Sequence, residues 1–423
     1  MTAVISGVGV VSAFGLGTRA LFDGLAAGAS AISRIRSFDA STFPTHVAGE
    51  VPVPDVEAGW LADALGPLAA GAGIAELARS GALRDRKIAW ALVAAAEAWR
   101  SAGCAGDERD AALVLGLGLE QAFLDDFETC YQDRTIAWER APAAGVRFRS
   151  RVDLAARAVH ASLALRGPTV VNASACAAGT LAVAHAASWI ERGAADLVVC
   201  GAADSMVNPL GVGGMCRLGA TSPRDELDAC RPFDRRRDGL VIGEGAAVFV
   251  VEARERAVAR GARPLATILG WGSTQDGFRA TAPRPDGAAA RIAMERAIAR
   301  SGRPAESLGY INAHGTGTPL NDPGECKAIH GALGVHAERV AVSSIKGAVG
   351  HLMAASGAIE LAACLLAFER ELLPGTANHR ERDPECNVDV IGAAPRRAQI
   401  GALLSNSFGF GGQNASIVLG RPA

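Results

Sequence analysis

A chain of 423 residues, 49% hydrophobic and 20% charged, is long enough to bury a core of two or three domain-sized units. Its formal charge of −2 speaks against a general nucleic-acid binder, which carries a basic patch large enough to move the total. No apolar run approaches the roughly 20 uncharged residues of a membrane span, and residues 1–10 lack the basic n-region of a secretory leader. The expectation is a cytoplasmic protein that binds neither nucleic acid nor membrane.

Residues 3–11 (AVISGVGVV) are apolar and β-branched, the pattern breaks over 12–17, and helical periodicity follows over 18–27, which predicts strand, turn and helix. The Ala-rich periodicity of 86–102 predicts a helix, and 111–119 (AALVLGLGL) a buried strand. Residues 165–173 predict another strand, 177–192 a long helix and 195–201 a further buried strand. The helix-then-strand order recurs in the second half, where RIAMERAIARSG precedes LGYINAHG, and the strand, Ser-rich turn and Ala-rich helix of 170–187 recur over 340–368. Alternating strands and helices predict parallel sheets covered by helices on both faces. Two similar α/β halves, 1–255 and 256–423, fit this pattern, with the boundary near residues 255–266.

Nine cysteines, at 104, 130, 176, 200, 216, 230, 326, 364 and 386, form no Cys-x-x-Cys pair, which argues against a disulfide framework or structural zinc. Most lie in apolar runs, where a small buried thiol is expected. Cys176, in VVNASACAAGT, instead stands at a strand end before a helix, flanked by small residues. A sharp strand-to-helix turn presents a nucleophile, and a helix N-terminus favours its thiolate. A buried core thiol is the competing reading, since free cysteine is often buried.

Two histidines shift the balance. His314 follows a strand in AHGTGTPLND, a Gly/Thr-rich exit that is expected to leave it exposed in a loop, and His351 lies five residues after Lys346 in SSIKGAVGHLMAASG. His160 and His185 sit in apolar helical segments and read as core residues. A cysteine with two strand-end histidines forms a constellation that can share nucleophilic and acid–base work.

Cys176 in ASACAAG, His314 in HGTGTP, Lys346 and His351 in SSIKGAVGH, and the closing NSFGFGG of 406–412 together resemble the motif set of the β-ketoacyl-[acyl-carrier-protein] synthases, in the branch of the elongating fatty-acid enzymes and type II polyketide ketosynthases. The similarity runs the length of the chain and includes CRPFDRRRDGLVIGEGA at 230–246. It implies the thiolase-like fold, two similar halves in a five-layered α/β/α/β/α arrangement, and decarboxylative condensation of two acyl thioesters. Cys176 would take the acyl group, His314 and His351 would donate to the enolate of a malonyl thioester, and Lys346 would keep His351 neutral and oriented. The backbone N–H groups of Cys176 and Phe410 would form a second oxyanion site.

The resemblance further implies that Phe408 and Phe410 admit the acyl chain, that Thr316 and Thr318 bind the pantetheine amides, and that Glu325 supports a water network behind the site, with an ordinary helix-surface glutamate as the alternative. Glu244 reads as structural. Leu119 matches a position limiting acyl depth. Glu120, Gln121, Ala282 and Gln413 depart from the family pattern and point toward polyketide or polyene substrates. The implied partner is an acyl carrier protein, whose acidic surface would meet Arg86, Lys87 and Arg217. The chain would form a homodimer, or a heterodimer with a chain-length-factor-like paralogue. No metal and no cofactor beyond the carrier's phosphopantetheine are implied. A non-elongating chain-length-factor-like role conflicts with the retained Cys176, His314 and His351. A coenzyme A thiolase would need a late cysteine in a Cys-x-Gly context, which Cys326, Cys364 and Cys386 do not provide.

Overall fold

The computed structural model describes residues 1–53, 55–104, 108–118 and 151–422, together with the backbone of the short strands Tyr131–Gln132 and Thr135–Ile136. Leu119, Glu120 and Gln121 lie outside the described residues.

The N-terminal sheet is built from β1 (Ala3–Ser12), β2 (Ala112–Leu117), β3 (Thr169–Asn172), β4 (Leu197–Asp204) and β5 (Gly245–Ala253), in the order β1-β5-β4-β2-β3. The C-terminal sheet repeats the order with β6 (Ala266–Gln275), β7 (Leu308–Asn312), β8 (Ala341–Ser343), β9 (Ala402–Gly409) and β10 (Gln413–Gly420), as β6-β10-β9-β7-β8. The edges join where Val4 pairs with Thr267 and Ile5 with Ala266.

Helix α1 (Lys87–Ser101) covers the outer face of the first sheet, and its counterpart α3 (Ala288–Ser301) covers the second. Between the sheets lie α2 (Ala178–Glu191) and α5 (Ser356–Glu369), which completes five layers. Every residue of β1 is buried, since both its faces are covered. Small residues let the layers approach closely: a Cβ at Gly9 would meet the Ala94 carbonyl of α1 at 2.0 Å. Where α2 and α5 cross, a Cβ at Gly179 would lie 2.5 Å from Ala358 N, and one at Gly357 would lie 2.1 Å from Thr180 Oγ1.

The sheets are mixed, not parallel. β2 pairs in parallel with β3 and β4, and β7 with β8 and β9, but β1–β5, β4–β5, β6–β10 and β9–β10 are antiparallel. β9 returns as β10 through the tight turn Phe410–Gly412, which a hairpin permits and a parallel crossover does not.

Candidate active site

Cys176 is presented by a turn between β3 and α2. Ser174 leads into the single 3-10 turn Ala175–Ala177, and Ala175 adopts φ 47°, a left-handed conformation that costs a non-glycine residue on the order of 1–3 kcal/mol. Asn172 Nδ2 donates to the Ala178 carbonyl (2.9 Å) and accepts at Oδ1 from Ser174 Oγ (2.5 Å), bracing the turn. From the opposite side Gly409 closes in: a Cβ there would sit 2.9 Å from Cys176 N. Its φ of −118° and ψ of 159° suit any residue, so space, not conformation, requires the glycine. The next N–H, that of Phe410, is hydrogen-bonded to the Cys176 sulfur.

β7 delivers His314 through a loop held by two buried carboxylates of α4 (Asn321–Leu333). Glu325 accepts from His314 N (2.9 Å), Gly315 N (2.8 Å) and Asn406 Nδ2 (3.2 Å). Asp322 accepts from Thr316 N (3.0 Å), Gly317 N (3.1 Å) and Phe233 N (2.8 Å). Glu325 is thus buried beneath the His314 loop and is not a helix-surface residue, and burial pushes its carboxyl up to about 7.

His351 precedes α5, with its backbone stitched to residues 241–243: its N–H donates to Val241 O (2.7 Å), and its carbonyl accepts from Gly243 N (2.8 Å). Its Nδ1 accepts from Met353 N (3.1 Å) and lies 2.7 Å from Ser356 Oγ. An Nδ1 that accepts carries no proton, which places the ring proton on Nε2.

Lys346 makes its contacts with His314, not with His351 as the sequence implied. Its Nζ donates to the His314 carbonyl (2.5 Å) and to His314 Nδ1 (3.3 Å), and pairs with Glu360. His314 is therefore also an Nε2–H tautomer, while Met353 N and Ser356 orient His351. Burial first, and then the Lys346 charge, hold both imidazoles well below their usual range, so both are neutral. The rings stand 5.3 Å apart at 83°, and Phe408 lies 5.7 Å from His314.

Cys176, His314, His351, Phe408 and Phe410 line one cavity of about 360 Å³. It runs past Thr316, Thr318 and Ala282 to a mouth at the exposed Leu218 and Leu320. Thr316 Oγ1 and Thr318 Oγ1 are 2.9 Å apart on its wall. Arg217 is exposed beside Leu218. Gln413 lies outside the cavity lining and donates to Gln275 Oε1 (3.0 Å).

Several expectations change. His314 is 2% exposed, because the Glu325 and Asp322 contacts fold its loop inward. The Cys176 thiol is pushed up to about 12 by burial, against the opposing pull of Lys346 and the Phe410 N–H, so the turn does not by itself yield a thiolate. Lys87 is fully buried and paired with Asp85, which removes it from any docking surface. Arg86 is turned inward as well, donating to Val51 O (3.1 Å), Val53 O (2.6 Å) and Glu244 (3.1 Å).

Sequence reasoning missed Glu360, Ser356, Asp322 and Asn406. Glu360 had a signal: in SGAIELAACLLAFE it is the one charge before the last residue of an otherwise apolar helix. A charge there needs a buried partner. The others depend on contacts far apart in sequence.

Residues 2–257 match the family model of the beta-ketoacyl synthase N-terminal domain, and residues 265–380 that of the C-terminal domain. The chain is 36% identical to the tetracenomycin polyketide synthase ketoacyl synthase alpha subunit of Streptomyces glaucescens, over 99% of this chain and 97% of that protein. It is 34% identical to the 3-oxoacyl-[acyl-carrier-protein] synthase 2 of Coxiella burnetii, over 99% and 98%. Among solved structures, a type II polyketide synthase acyl carrier protein in complex with its ketosynthase bound to the hexaketide aligns with a TM-score of 0.84 at 26% identity, covering 100% of this chain and 99% of that one. The ishigamide ketosynthase/chain length factor aligns with a TM-score of 0.82 at 31% identity and the same coverage. The chain belongs to the beta-ketoacyl synthase family and has its thiolase-like fold; it is a condensing acyltransferase, a β-ketoacyl-[acyl-carrier-protein] synthase of fatty-acid or type II polyketide synthesis. Among the described residues no helix is long and apolar enough to cross a membrane.

Proposed function

We propose that Cys176 is the acyl-accepting nucleophile and that His314 and His351 are the two donors to the malonyl-derived enolate. The observation that carries this reading is the convergence, in one cavity, of the sulfur with two neutral imidazoles held as Nε2–H tautomers. In the first half-reaction the Cys176 sulfur attacks a carrier thioester, its proton leaves, and the carrier thiol is released. In the second, the malonyl carbon–carbon bond breaks, CO₂ departs, and negative charge collects on the thioester oxygen beside the imidazoles. The resulting enolate carbon attacks the acyl-Cys176 carbonyl, whose oxygen is received by the N–H groups of Cys176 and Phe410. The carbon–sulfur bond then breaks, and a proton returns to sulfur.

Thr316 and Thr318 are assigned to the pantetheine arm on the cavity wall, Phe408 and Phe410 to admission of the acyl chain, and Glu325 and Lys346 to support of His314. The halves 1–255 and 256–423 each supply one side of the site. The partners are an acyl carrier protein and either a second copy or a chain-length-factor-like paralogue, and the departures at Glu120 and Gln121 favour polyketide or polyene chains over saturated ones.

Intact-mass measurement tests the assignment. Cys176→Ala is expected to show no acyl adduct while remaining folded. His314→Ala and His351→Ala each are expected to lose malonyl decarboxylation by about a hundredfold or more, with loading affected less. An adduct on the Cys176→Ala protein overturns the nucleophile, and decarboxylation at the parent rate in either histidine variant removes that residue from the mechanism.

A further inference from the structure

The chain carries the nucleophile turn twice. Ala175–Ala177 before α2 and Met353–Ala355 before α5 are both single 3-10 turns that open on a left-handed residue, φ 47° at Ala175 and φ 46° at Met353. Both lead directly into helices of 14 residues, and the second residues of those helices, Gly179 and Gly357, meet at the helix crossing. On this correspondence Ala354 is the counterpart of Cys176.

The strands that face the two turns correspond as well. β4 and β9 are each 8 residues long and end at Asp204 and Gly409, which pair with the first residues of β5 and β10. At Gly409 a bare Cα leaves room in front of Cys176 N. At the equivalent place the side chain is present: Asp204 Oδ2 accepts from Ala354 N at 2.9 Å, and Oδ1 accepts from Ser205 N at 2.8 Å. The second turn is therefore a copy of the oxyanion-binding turn in which the protein's own carboxylate fills the anion position.

The filled turn is adjacent to the proposed chemistry. Met353 N, one residue before the amide that Asp204 holds, is the donor that fixes His351 Nδ1. We infer that Asp204 is a positioning residue for His351: by capturing the Ala354 N–H it pins the left-handed Met353 turn, and that turn holds the imidazole as the Nε2–H donor. Asp204 is itself anchored. It is 1% exposed, and its neighbour Ser205 donates through Oγ to Asp85 (2.9 Å), the partner of buried Lys87. A Cβ at Gly118, just past the end of β2, would lie 2.4 Å from its carboxylate, so the bare Cα there makes room for the Asp204 side chain.

This inference rests on the role proposed for His351, and one set of variants separates the two. Malonyl decarboxylation and Cys176 loading are measured on the full-length protein in its native assembly, for the parent, Asp204→Ala, Asp204→Asn and His351→Ala. Asp204→Ala is expected to lower decarboxylation kcat by about 10- to 100-fold, with loading reduced by less than about threefold, because misplacement of a donor by about 1 Å can cost up to about a hundredfold. Asp204→Asn, which keeps one acceptor for the Ala354 N–H, is expected to fall between Ala and the parent. Asp204→Ser carries the same expectation as Ala and replaces it if Ala does not fold. Equal loss of both half-reactions, decarboxylation at the parent rate, or an Asn variant no better than Ala overturns the inference. If His351→Ala itself decarboxylates normally, the proposed role of His351 fails instead.

Discussion

Cys176 is buried in a cavity that it shares with two uncharged imidazoles, and burial outweighs the nearby Lys346 and the Phe410 N–H in raising the thiol to about 12. At neutral pH the ligand-free protein thus holds a thiol, and in the proposed role of Cys176 its proton would leave during thioester exchange. Alkylation of Cys176 by iodoacetamide, read as the difference between the parent and Cys176→Ala, is expected to rise about tenfold per pH unit from pH 7 to 9 without levelling. A plateau by pH 8 would contradict the protonated resting state. The histidines point the same way: kept neutral by burial, they present no charge that would hold the sulfur as a thiolate, while in the proposed role their N–H groups would be offered to the enolate.

The turn between β9 and β10 shows what a single atom controls. Gly409 has an unstrained backbone, so Gly409→Ala acts through space: the methyl would lie 2.9 Å from Cys176 N and 3.2 Å from both Ala175 Cβ and Ser174 O. It is expected to lower condensation on the order of a hundredfold and, by overpacking the turn at a cost of about 1–3 kcal/mol, to lower the melting temperature by a few degrees, so that the protein stays folded at the assay temperature; product formation is measured beside a thermal melt. At this scale much was legible in sequence. The strand predicted over 3–11 is observed as Ala3–Ser12, and the helix over 177–192 as Ala178–Glu191, because each has a continuous apolar pattern. The echo of 170–187 in 340–368 was legible too, and it is this echo that aligns Cys176 with Ala354. What stayed hidden depends on long-range contact. Strand polarity follows connections that periodicity does not record, the Lys346 contact with His314 spans 32 positions, and Asp204 reaches Ala354 across 150. Arg86 and Lys87 looked like surface cations because a chain gives no sign that Glu244 and Asp85 wait beneath.

Across the whole molecule, burial decides where a partner can be felt. Reversing Lys87 would strand Asp85 beside a like charge, and breaking a buried pair costs about 3–5 kcal/mol, so that variant would report on folding and not on docking. Arg217, exposed beside the cavity mouth, is the informative position. Arg217→Glu is expected to raise KM for a carrier-bound thioester by about three- to tenfold and to flatten its salt dependence, with a short pantetheine thioester unaffected. Equal loss with both substrates would place the damage inside the catalytic cavity. The crossing of α2 and α5 carries a mechanical consequence. With no room for a methyl at Gly179 or Gly357, the helices that launch Cys176 and follow His351 share one fulcrum, and the distance between sulfur and imidazole becomes a fixed gauge. On the roles proposed for Cys176 and His351, a growing acyl chain cannot be accommodated by prising α2 and α5 apart at this crossing, and the reacting atoms would meet across the same gap each time.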